Sequence, residues 1–98
     1  MKYIKLMADY KCYPIWDMSH EDYGDIPPSA LPISKGLQER LLKWAALYDE
    51  TLNEEYPPDS RFETEEMAQN FRSEGERLAE CLREELGPDY CISVKIYT

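Results

Sequence analysis

Glycine, histidine and closely spaced cysteine are scarce in this chain, and each scarcity removes a class of chemistry. Four scattered glycines cannot build a glycine-rich phosphate loop. The single histidine, His20, is the only one a Ser-His-Asp or Cys-His mechanism could use. It stands in the polar stretch Ser19-His20-Glu21-Asp22. Cys12 and Ser19 are nearby, but neither lies in a recognisable nucleophile turn. His20 therefore reads as a solvated loop residue, and no catalytic centre is expected. Cys12, Cys81 and Cys91 are odd in number and far apart. They form neither a disulfide framework nor a CxxC pair, so reduced thiols in the cytoplasm are expected. The first ten residues lack the pattern of a signal peptide, and no apolar run is long enough to span a bilayer. No cofactor is implied.

A basic stripe is also missing. Eleven Lys and Arg stand against twenty Asp and Glu, a net charge of −9. Nucleic acid and anionic lipid would be repelled. A basic protein partner would be attracted, and long-range steering would speed the encounter. The plainer reading is that the charge only keeps the protein soluble.

Hydrophobic residues make up 43% of the 98, which suits one globular domain with one modest core. Lys2 to Tyr10 predicts a strand with Ile4, Leu6, Ala8 and Tyr10 on one face. From Lys11 to Ile33 four prolines (Pro14, Pro27, Pro28 and Pro32) forbid a long helix. A short strand over Cys12 to Trp16 is conceivable there. Ser34 is suited to N-cap a helix running to about Asn53, with Leu37, Leu41, Trp44, Ala45, Tyr48 and Leu52 as its apolar stripe. Thr64, followed by Glu65 and Glu66, starts a second helix that Gly87 and Pro88 end near Leu86. Met67, Phe71, Gly75, Leu78, Leu82 and Leu86 form its stripe. Gly75 inside that stripe implies close approach of the first helix. Tyr90 to Tyr97 alternates as a final strand. The fold class is α+β: strand, long loop, helix, helix, strand, with the helix pair on one face of a small sheet in which the terminal strands are neighbours.

Two constellations favour binding. The loop Tyr13 to Asp25 interleaves Trp16 and Tyr23 with Asp17, Glu21, Asp22 and Asp25. Aromatics anchor protein interfaces, and the acids around them set charge preference. Trp44 and Tyr48 are expected to pack beneath this loop. The second is the row Glu76, Glu80 and Glu84, three acids at helical spacing opposite the buried stripe. Both also have plain readings, as a loop stapled to the core and as a solvated face. A metal set of Cys12, Asp17 and His20 with Asp22 or Asp25 matches neither a zinc signature nor an EF-hand. It leaves a small metal protein or enzyme as the alternative function. A regulatory subunit pairing through an exposed strand edge is a third.

The strings Tyr3-Ile4-Lys5-Leu6-Met7-Ala8-Asp9-Tyr10, Tyr13-Pro14-Ile15-Trp16-Asp17, Leu31-Pro32-Ile33-Ser34, Trp44-Ala45, Tyr48-Asp49 and Thr51-Leu52-Asn53 resemble a family of small acidic bacterial proteins. Members of that family include immunity proteins of contact-dependent growth inhibition and other polymorphic toxin systems. The resemblance spans most of the chain. It departs from the expected pattern after Tyr10, where Lys11 replaces glycine. It implies a cytoplasmic protein, taken as a monomer, that binds the C-terminal domain of a cognate toxin. A toxin that cleaves nucleic acid would be basic, and an acidic inhibitor would complement it.

Overall fold

The computed structural model describes residues 2–19, 23–52, 55 and 62–96. Along the chain it has strands β1 (Lys2–Leu6), β2 (Ile15–Asp17) and β3 (Gly24–Ile26), helices α1 (Lys35–Asp49) and α2 (Glu65–Leu86), and strand β4 (Tyr90–Val94). The sheet order is β3-β2-β1-β4. β1 and β4 run parallel, because the whole helix pair forms the crossover between them. The terminal strands are neighbours, as the pattern predicts, and the class is α+β.

The register explains the two layers. Ile4 pairs with Asp17 and with Ile92, and Leu6 pairs with Ile15 and with Val94. Residues directly opposite share a face of the sheet. Ile4, Leu6, Ile15 and Ile92 are accordingly buried in one cluster with Leu41, Trp44, Phe71, Leu78 and Leu82 from the helices. Tyr3, Lys5 and Trp16 belong to the opposite face, where Tyr3 is 57% exposed.

Both helices start as predicted. The Ser34 hydroxyl accepts from Leu37 N–H and the Thr64 hydroxyl from Met67 N–H. The Ser34 N–H and hydroxyl both donate to the carboxylate of Glu85, at 2.6 and 2.9 Å, so α2 anchors the start of α1. α1 ends at Asp49, before Asn53, which lies outside the described residues. Thr51 turns back there, its N–H and its hydroxyl both donating to the Tyr48 carbonyl. In α2 Met67 is exposed rather than part of the buried stripe, and Ala68 takes the inward place. Met67 sits in the first turn, near the margin of the core. A Cβ on Gly75 would meet Trp44 and Ile96 atoms at 2.7 Å, so helix approach does account for this glycine.

Trp44 and Tyr48 find ring partners outside the Tyr13 to Asp25 loop. Trp44 stacks on Phe71 at 4.5 Å and donates its indole N–H to the Phe71 carbonyl. Tyr48 stacks on Tyr10 at 4.6 Å. α1 therefore uses its rings against α2 and the β1–β2 turn. The Tyr10 face position in β1 is explained in the same way, since β1 stops at Leu6 and Tyr10 folds over α1.

The long proline-containing segment is more ordered than its composition suggests. It contributes β2, placed slightly beyond the Cys12 to Trp16 expectation, and β3, which nothing in the sequence pattern announced. Both are three residues long, too short for alternation to register. β4 is likewise shorter than Tyr90 to Tyr97, though Lys95 N–H still donates to the Leu6 carbonyl. No helix among the described residues is long and apolar enough to cross a membrane.

Candidate protein-interaction surfaces

The β2–β3 hairpin gathers part of the predicted loop site. Trp16 and Asp25 are register partners. Trp16 is half-buried, and its indole N–H donates to the Met7 carbonyl at 3.0 Å. Tyr23 leans on it with ring centroids 6.4 Å apart and remains 60% exposed. Asp25 is exposed and accepts from Tyr13 N–H at 2.8 Å. Glu21 and Asp22, with His20, lie outside the described residues.

Asp17 differs from its loop neighbours. It is buried, with its carboxylate 3.6 Å from the Lys2 ammonium and accepting from Ser19 N–H. The Ser19 N–H bond holds its pKa below the ordinary carboxylate range, against the opposing pull of burial, and Lys2 adds to the effect. This geometry suits a residue that sets the start of the loop.

On α2, Glu76, Glu80 and Glu84 are exposed. Glu76 and Glu80 line a groove of about 810 Å³ between α2 and β4, which they share with Arg72, Arg77 and Arg83. The carboxylate of Glu80 pairs with Arg83 at 2.8 Å, and Arg72 lies 3.5 Å from Glu65. Arg83 also donates to the Ile92 carbonyl at 3.0 Å, covering part of the β4 edge. Charges of both signs alternate here, so the row is not a uniform acidic patch.

A smaller groove of about 360 Å³ lies between the β1–β2 turn, Asp25 and α1. Its walls are Tyr13, Pro14, Leu42, Ala45 and Ala46, with Lys11, Cys12, Asp25 and Asp49 completing it. Lys11 adopts φ +59°, a left-handed conformation that costs a side-chain-bearing residue about 1–2 kcal/mol. Its N–H donates to Asp49 at 3.0 Å, tying the turn to α1. Burial pushes the Cys12 thiol up in pKa, and the charges of Asp25, Asp9 and Asp49 push it further. Among the described residues no lysine or arginine comes within ion-pair distance of these three carboxylates.

Sequence reasoning brought Tyr13 and Asp25 to this region and missed Lys11, Leu42 and Asp49. Signals for them existed. Leu42 is apolar but off the buried stripe of α1, and Lys11 takes the place where glycine is expected. Asp17 and Cys12, two of the proposed metal ligands, occupy separate surroundings. No group of three His, Cys, Asp or Glu side chains suited to a metal ion occurs among the described residues.

A family model described as Serratia CdiI immunity protein-like matches residues 2–95. The match covers nearly the whole chain, and the chain belongs to that family. No curated protein matches it.

Proposed function

From membership of an immunity-protein family, we propose that this chain acts as a cytoplasmic monomer without catalytic activity. It binds the C-terminal domain of a cognate toxin and neutralises it through an acidic surface. The observation that carries the reading is the family match over residues 2–95. The charge of −9 supports a basic partner, of the kind that acts on nucleic acid. The interface centres on the β2–β3 hairpin. There Tyr23 and Trp16 serve as anchors, and Asp25, with Glu21 and Asp22 of the same loop, supplies charge. Asp17 holds the loop in place through Ser19 and Lys2. Glu76, Glu80 and Glu84 form a second, peripheral patch whose charge is partly cancelled by arginine.

Calorimetry at low and high salt, between this protein and the toxin-like C-terminal domain encoded beside it, tests the reading. Tight binding that weakens with salt is the expected result. Absence of binding at both salt concentrations overturns it.

A further inference from the structure

We infer that the small groove between the β1–β2 turn and α1 is the pocket that takes a lysine- or arginine-bearing segment of the toxin domain. The inference rests on the immunity reading and names where, and by what chemistry, the partner docks.

The occupant follows from the walls. Tyr13 and Leu42 are each 45% exposed at a concave site, although large apolar side chains at such positions normally turn inward. With Ala46 they form an apolar wall that suits the methylene stem of a long basic side chain. At the rim stand Asp25 and Asp49. Each already has one hydrogen bond from a main-chain N–H, Asp25 from Tyr13 and Asp49 from Lys11. Those bonds fix the carboxylates without neutralising them. Some other acids stand in ion pairs, among them Glu80 with Arg83, Glu74 with Arg40 and the buried Asp17 with Lys2. Asp25 and Asp49 have no such cation among the described residues. Rigid, unneutralised carboxylates beside exposed apolar surface are complementary to a cation with an aliphatic stem, and not to an anion or a purely apolar ligand.

Lys11 fits the same account. A residue held in the left-handed region persists where its surroundings over-determine it, which is common at binding sites. Here the Asp49 bond holds Lys11 and places the turn that forms one wall.

The test uses the full chain and the toxin-like C-terminal domain encoded beside it, with binding measured at low and high salt. Leu42→Arg puts bulk and like charge into the groove from an exposed helix position, and is expected to weaken binding about 30-fold or more. In Asp25→Asn with Asp49→Asn the amide oxygens still accept the two main-chain bonds while both charges are removed. That variant is expected to bind about tenfold more weakly, with a shallower salt dependence. Glu63→Gln with Asp89→Asn removes the same formal charge from exposed positions outside both grooves and is expected to leave affinity within about twofold. Thermal unfolding of each variant excludes loss of fold. If wild type binds and both groove variants bind like it, or if the two double variants weaken binding equally, the groove assignment is overturned while the immunity reading stands. If wild type itself fails to bind, the immunity reading falls and the groove assignment falls with it.

Discussion

The two grooves of this protein are built from the same acidic chain and differ in what neutralises their acids. The larger one, between α2 and β4, sets Glu76 and Glu80 among Arg72, Arg77 and Arg83 on a helix surface, where three- and four-residue spacing lets opposite charges meet. The smaller one draws its acids from distant segments, Asp25 from β3 and Asp49 from the end of α1. Main-chain N–H groups hold those acids, and they bring no compensating charge. The larger groove thus mixes charges of both signs, and the smaller one sets two acids beside the exposed apolar surface of Tyr13 and Leu42.

Four substitutions sharpen the contrast. The largest effect is expected from Gly75→Ala, under the α2–β4 side. Alanine is favoured over glycine in a helix by about 1 kcal/mol, but its Cβ would enter the space of Trp44 and Ile96. Trp44 cannot retreat easily, since it is stacked on Phe71 and hydrogen-bonded to its carbonyl. A net loss of up to about 3 kcal/mol is expected in urea unfolding, with unchanged toxin affinity once folded. Equal or greater stability would show that this side is loosely packed.

Next comes Asp17→Ala, which removes the buried acceptor for Ser19 N–H and the partner of Lys2. A loss of about 2 kcal/mol at neutral pH is expected. Because the folded pKa is lowered, the stabilisation is present above the ordinary carboxylate value and is lost as pH falls through the folded one. The stability difference between wild type and variant should therefore shrink in acid. A difference that persists at low pH would assign the effect to packing alone.

Glu85→Ala removes both acceptors for Ser34 at the start of α1. About 1 kcal/mol is expected to be lost in thermal unfolding, a typical capping effect. Lys11→Gly should act in the opposite direction, stabilising by about 0.5 kcal/mol as relief of the left-handed backbone outweighs the added freedom of the unfolded chain. Destabilisation would mean that the lysine side chain itself supports the turn.

Local pattern carried much of this fold into view. Ser34 and Thr64 as caps, the apolar stripes, Gly87 as a stop and the alternation from Tyr90 all act within a few residues, and their elements appear, with α1 and the final strand shorter than read and Met67 outside the buried stripe. β3 stayed hidden because Gly24, Asp25 and Ile26 become a strand only by pairing with β2. The groove stayed hidden for a related reason. Asp49 and Asp25 are distant in sequence, and nothing local signals that both face Cys12. The ring partners of Tyr48 and Trp44 stayed hidden because a stripe gives the inward direction and not the neighbour.

The sequence by itself determined the α+β order, the helix boundaries at their caps, the acidic balance and, through its family strings, membership of an immunity-protein family. These follow from local propensity, composition and identity of residues. Only the tertiary structure decided which acids are neutralised and which are left bare. Ion pairing and main-chain hydrogen bonding depend on distances of a few ångströms between segments far apart in the chain, and those distances exist only after the helices have packed on the sheet.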